Sequence, residues 1–123
     1  MSARSKSPRV LLVDDDELVR LTLRSGLERS NYSVTDAASA VEAIAAATGG
    51  VDLLIIDARI PGDSLTASIP AIRVAAQANH LPVIVMSGSD VEPSILVEAG
   101  AAYLPKPIDL AVLLTAVDLA SRT

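Results

Sequence analysis

The chain has no cysteine, no phenylalanine and no tryptophan, and its only aromatic residues are Tyr32 and Tyr103. Without cysteine there can be no disulfide and no thiolate metal site. Without large aromatic rings the interior must be filled by Val, Ile, Leu and Ala, a palette suited to buried parallel strands covered by helices. Half of the 123 residues are hydrophobic, which is enough for the single core that a chain of this length encloses. Positive charge is also scarce. The formal charge is -5, and from Val10 onward fifteen acidic residues face seven basic ones. That balance excludes a broad nucleic-acid footprint, which needs a basic surface. Met1 to Pro8 carries Arg4 and Lys6 with no apolar run behind them, so this stretch is neither a signal peptide nor a membrane span. Residues 1–8 read as a disordered lead-in to one domain over 9–121, and a cytoplasmic location is expected.

What the sequence does have is a regular alternation of apolar runs and helical patterns. Arg9–Val13, apolar from Val10, ends at Asp14-Asp15, and Val19, Leu23 and Leu27 then recur at four-residue spacing. Ser33–Ala37 reads as a weak strand. Ser39-Ala40-Val41-Glu42 has the form of a capping box opening an alanine-rich helix, which Gly49-Gly50 stops. Val51–Asp57 is the clearest strand. A loop is expected over Arg59–Ser68, then a helix to about Asn79 with Pro70 in its first turn. Leu81–Met86 is a strand, Asp90–Ala99 a short helix ended by Gly100, and Ala102–Leu104 a brief strand. Asp109–Ala120 closes the chain as a helix with an Asp cap. Five strands alternating with five helices predict an α/β fold, a doubly wound parallel sheet with helices on both faces.

In such sheets ligands sit beyond the carboxyl ends of the strands. Asp14, Asp15 and Asp16 follow the first strand, Asp57 ends the third, Ser87 ends the fourth and Lys106 follows the fifth. Four carboxylates, a hydroxyl and an ammonium can therefore converge on one edge. Clustered carboxylates repel one another unless a cation lies among them, and hard oxygen ligands with access to water suit Mg²⁺. A carboxylate beside Mg²⁺ can attack phosphorus to give an aspartyl-phosphate, with Lys106 and Ser87 available to its oxygens. Each residue alone has a plainer explanation. Asp16 fits a helix cap, Ser87 before Gly88 fits a turn, and Lys106 between two prolines fits a solvated loop. Asp57 is harder to explain away, because a carboxylate ending the apolar run Leu54-Ile55-Ile56 needs a partner.

Four segments, Val10-Leu11-Leu12-Val13-Asp14-Asp15, Asp57-Ala58-Arg59-Ile60-Pro61-Gly62, Met86-Ser87-Gly88 and Tyr103-Leu104-Pro105-Lys106-Pro107, carry a resemblance. From about Arg9 to Ala120 the chain resembles the CheY-like receiver domains of two-component response regulators. The resemblance implies a flavodoxin-like sheet in strand order 2-1-3-4-5. It implies Asp57 as phosphoacceptor, and Asp14, Asp15, Asp57 and the backbone carbonyl of Arg59 as the Mg²⁺ site, with Asp15 the more direct ligand. Ser87 and Tyr103 stand at the family's switch positions. Lys106 stands at its lysine, before a cis bond to Pro107, and its loss is expected to affect the phosphorylated state more than stability. A histidine kinase or phosphotransfer protein is the implied donor, and the downstream protein partner is not identified.

The chain departs from the family at Asp63-Ser64-Leu65, where an Asp-Gly pair is usual, and at Ile108, where Phe is common. Short spacings between Ser87, Gly100 and Tyr103 predict a stunted fourth helix. In the last helix Leu110, Leu113, Leu114 and Val117 should face the sheet. Val112, Ala116 and Leu119 form a second apolar stripe, read as an interaction face that could pair two copies of the chain. No output domain, direct nucleic-acid binding or membrane contact is expected of these residues. Two alternatives remain. One is a phosphohydrolase of the haloacid-dehalogenase type, using Asp14 and Asp16, and the other is an interaction domain that is never phosphorylated.

Overall fold

Side chains along a strand point alternately to opposite faces, so an apolar run covered on both sides feeds two cores at once. In the computed structural model, which describes residues 7–61 and 64–122, the strands do this. They are β1 (Arg9–Val13), β2 (Ser33–Ala37), β3 (Leu53–Asp57), β4 (Val83–Ser87) and β5 (Ala101–Pro105). Between and after them lie α1 (Glu17–Arg29), α2 (Ala40–Ala47), α3 (Leu65–Ala76), α4 (Pro93–Ala99) and α5 (Leu110–Ser121). The sheet is parallel throughout and ordered β2-β1-β3-β4-β5, the doubly wound topology expected. Leu11, Val13, Leu54, Ile56, Val83 and Val85 pack on one face with residues of α2 and α3. Val10, Leu12, Leu53, Ile55, Ile84 and Met86 pack on the other with residues of α1 and α5. Among the described residues no helix is long and apolar enough to cross a membrane.

Helices α1, α2 and α5 begin where the sequence places acceptors. Asp16 accepts from the backbone N–H groups of Leu18 and Val19, and Asp109 from those of Ala111 and Val112. Ser39 accepts from Glu42 N–H at 3.2 Å, but the Glu42 carboxylate reaches back to Ala38 N–H rather than to that of Ser39. The capping box is thus displaced by one residue on its return side. The buried residues of α2 are Ala40, Ala43 and Ala47, small enough to let that helix lie close to the sheet. Gly26 plays a similar part on α1, since a Cβ there would stand 2.6 Å from the Leu110 methyl carbons of α5.

Several boundaries differ from the sequence reading. Helix α3 starts at Leu65, inside the expected loop, because Leu65 and Ile69 already share a buried face. Pro70 therefore lies within the helix rather than in its first turn, on the exposed side, where water can satisfy the carbonyl it leaves unpaired. The helix ends at Ala76 because Gln77 turns left-handed at φ 54°. Strand β3 begins at Leu53 rather than Val51, and the Asp52 carboxylate takes the Arg9 N–H at 2.8 Å. Strand β4 begins at Val83, after Pro82, and β5 has five residues rather than three. Most of the lead-in assigned to residues 1–8 lies outside the described residues, as do Gly62 and Asp63. Within that lead-in, the Pro8 carbonyl accepts from Ser33 N–H at 3.0 Å.

Helix α4 has seven residues, begins at Pro93 rather than Asp90, and has no fully buried side chain. Ile95, Leu96 and Ala99 are half-buried against the core, and Arg73 of α3 adds a polar tie. Its guanidinium donates to the Leu81 carbonyl through Nε and Nη2, and through Nη2 also to the Ala99 carbonyl at 2.8 Å. A cation on a carbonyl at the end of a helix is favoured by both charge and hydrogen bonding. Arg73→Met should cost about 2 kcal/mol. In hydrogen exchange measured by NMR, α4 amides should exchange faster while those of β3 change only with global stability. Equal acceleration in both elements would refute this role for Arg73.

Candidate functional site

Parallel register brings the expected residues to one edge. Asp14 directly follows β1, its N–H bonded to the Ala37 carbonyl of β2. Asp57 is the last residue of β3 and pairs with Met86. Ser87 is the last residue of β4, and its carbonyl takes the Lys106 N–H just beyond β5. The peptide bond between Lys106 and Pro107 is cis.

Three of the four carboxylates meet there. Ligand oxygens of Asp14, Asp15 and Asp57 all lie within 4.8 Å of one another. Asp16 does not join them, because its carboxylate caps α1. The Lys106 ammonium bridges the other two chain segments, 2.8 Å from Asp14 Oδ2 and 2.6 Å from Asp57 Oδ2. Asp14 Oδ1 takes the Asp16 N–H at 2.9 Å, and Asp57 Oδ1 takes the Arg59 N–H at 2.8 Å. The Asp15 side chain, in contrast, is exposed and takes part in no hydrogen bond to the described residues. With all three acids ionised, one ammonium leaves an excess of two negative charges. That excess, the oxygen donors and the exposed Asp15 fit a divalent cation that keeps much of its water.

Burial dominates the electrostatics. Asp14 has no side-chain exposure, and this pushes its carboxyl above the usual carboxylate range, with the charge of Asp57 acting in the same direction. Lys106 and the Asp16 N–H oppose that rise without cancelling it. Burial also works against the charge on Lys106, but its hydrogen bonds to Asp14 and Asp57 and their charges outweigh it and raise its pKa. The Lys106 ammonium has a carboxylate on either side. The site thus holds its lysine charged while its most buried acid resists ionisation.

Ser87 and Tyr103 meet on one residue. Ser87 is 2% exposed and its hydroxyl oxygen accepts from Ser89 N–H at 3.1 Å. The Tyr103 hydroxyl donates to the Ser89 carbonyl at 3.2 Å. On α5, Val112 and Leu119 are 51% and 61% exposed. Ala116 is half-buried, lining the same surface as Val112 and Leu119 while packing partly against the core.

The sequence reading passed over three participants. Arg20 donates to the Asp14 carbonyl, Ser89 joins the Ser87 hydroxyl to Tyr103, and Arg73 ties α3 to α4. The pairing of Arg20 with Asp36 follows from Asp36 lying opposite Leu12 in the register, which only strand pairing makes visible.

Comparison with known proteins adds the following. The profile of the response regulator receiver domain matches residues 10–118. The transcriptional regulatory protein PrrA of Mycobacterium tuberculosis is 39% identical over 115 residues, which cover 90% of this chain and 48% of PrrA. The chain thus spans about half the length of that relative. The chemotaxis protein CheY4 of Vibrio cholerae superposes with a TM-score of 0.85 at 25% identity, covering 93% of this chain and 98% of CheY4. The receiver domain of the hybrid histidine kinase CckA does so with a TM-score of 0.77 at 32% identity, covering 92% and 98%.

Lys106 is expected to affect the phosphorylated state more than stability, and its place between two buried acids gives it a structural share as well. Lys106→Met should destabilise the metal-free protein by about 3 kcal/mol, because Asp14 and Asp57 lose the cation between them. Millimolar Mg²⁺ should recover much of that loss. Urea unfolding with and without Mg²⁺ measures both effects, and a variant as stable as the parent would rule out this structural share.

Proposed function

The chain belongs to the response regulator receiver domain family of two-component signalling, and from that premise we propose that Asp57 accepts a phosphoryl group. The observation that carries the proposal is the position of Asp57, 6% exposed at the end of an apolar strand. One of its oxygens lies on Lys106, and the acids of the β1 end are beside it. In the proposed step an Asp57 carboxylate oxygen attacks the phosphorus of a phosphohistidine on a kinase or phosphotransfer protein. The new O–P bond forms as the P–N bond breaks, and the electron pair stays on the imidazole. Lys106 then neutralises charge on the phosphoryl oxygens, and the Ser87 hydroxyl turns its proton toward one of them.

Asp14, Asp15, Asp57 and the Arg59 carbonyl would hold Mg²⁺. When bound, Mg²⁺ supplies the positive charge that lets an anionic acceptor approach an anionic phosphoryl group. Movement of Ser87 would pull on Ser89 and, through its carbonyl, on Tyr103, which offers a route from the site to the β5 surface. Capping of α1 by Asp16 supports a signalling domain over a phosphohydrolase, since that alternative needs Asp16 at the reacting centre. PrrA is named as a transcriptional regulator and CckA as a hybrid histidine kinase. Receiver domains thus occur in proteins with different outputs. With a net charge of -5, this segment is read as acting through a protein partner rather than by touching nucleic acid.

Incubation with acetyl phosphate and Mg²⁺ should add one phosphoryl group, and peptide mass spectrometry should place it on Asp57. Asp57→Asn should abolish the modification while leaving the circular dichroism spectrum unchanged. Undiminished phosphorylation of that variant would exclude Asp57 as acceptor.

A further inference from the structure

The acids of the candidate site are not held equally. Asp14 is fixed by Lys106 and the Asp16 N–H, and Asp57 by Lys106 and the Arg59 N–H. The carboxylate of Asp15 has no such partner among the described residues, so its direction depends on the backbone that carries it. That backbone is held at two points. The Asp14 N–H donates to the Ala37 carbonyl at 3.1 Å. The Asp14 carbonyl, part of the peptide unit joining Asp14 to Asp15, accepts from Arg20 Nη1 at 2.8 Å. Arg20 is itself anchored, with Nε 3.2 Å from Asp36 Oδ2. Its side chain is 17% exposed and that of Asp36 is 25% exposed. Arg24 takes the other oxygen of Asp36 at 3.0 Å and also pairs with Glu28.

From this arrangement we infer that Arg20 is a positioning residue for the divalent-cation site, fixing the Asp14–Asp15 peptide plane and hence the aim of the Asp15 carboxylate. Two sites on one guanidinium do this work, Nε on Asp36 and Nη1 on the Asp14 carbonyl. The planar fork holds both acceptors at once, which an ammonium on a flexible stem cannot do. Asp36 keeps the fork in place, and β2 carries Asp36 because it lies beside β1 in the sheet. An exposed ligand set by a neighbouring residue in this way gives a weak metal site more order than its own contacts provide.

The inference rests on the proposed Mg²⁺ site, and it makes a prediction opposite in sign to simple electrostatics. Removing a positive charge beside an acidic cluster should strengthen cation binding through the field. Loss of positioning should weaken it. Arg24→Met serves as the control, since Arg24 shares Asp36 and carries the same charge but does not touch Asp14. Amide chemical shifts at Asp16 and Arg59, followed through a Mg²⁺ titration, give the affinity of each protein. The parent should bind, Arg20→Met should bind roughly tenfold more weakly, and Arg24→Met should bind as the parent does or slightly more tightly. Arg20→Lys keeps the charge and should still bind more weakly, which preserves the test if Arg20→Met fails to fold. Parent-like or tighter binding by a folded Arg20 variant would overturn the inference and leave the site intact, as would equal weakening by Arg24→Met. A parent that does not bind Mg²⁺ at all would overturn the site and the inference together.

Discussion

One ammonium group organises the carboxyl edge of this sheet. Lys106 lies just after β5, yet it contacts the acid following β1 and the acid ending β3. It therefore ties the tip of an edge strand to the middle of the sheet. Without it two buried carboxylates would face each other in a medium that screens charge poorly. With it the pair becomes tolerable but not neutral, because Asp15 adds a further negative charge beside them. This leftover charge is the physical basis for the site's expected chemistry, since it favours a divalent cation.

The rest of the fold makes that placement possible. Strands β1, β3 and β4 are buried over nearly their whole length, so a polar group can be accommodated only as the strand leaves the core. In a parallel sheet those exits share one edge. The opening of α1 falls at the same place, and its cap, Asp16, also presents its N–H to Asp14. Stability and chemistry are thus joined at the β1 turn. Arg20 belongs to the same turn from the outside, through the carbonyl rather than the carboxylate of Asp14.

Much of this was legible in the sequence, and the reasons differ by residue. The apolar run ending at Asp57 carries its own signal, because an acid at the end of such a run has few plainer explanations. Parallel topology then places Asp14, Lys106 and Ser87 on the same edge without any knowledge of side-chain contacts. The start of α3 was not legible, because Pro70 resembles a first-turn proline and the loop expected over Arg59–Ser68 takes in Leu65, which is buried with Ile69. The convergence of four acids was overestimated, since Asp16 serves the helix rather than the site. Arg20 and Arg73 were missed for a common reason. Both act on backbone carbonyls of distant segments, and no residue-type pattern records which carbonyl a guanidinium will meet.

The central claim is that Lys106 holds the metal-free edge together and changes partners when Asp57 carries a phosphoryl group. A crystal structure with Mg²⁺ and beryllofluoride tests it most directly. The account predicts beryllium bonded to an Asp57 oxygen, Mg²⁺ on the acids of the β1 turn and Asp57, and Lys106 turned onto a fluoride with at least one carboxylate released. Beryllofluoride on another residue, or Lys106 still bound to both Asp14 and Asp57, would contradict it.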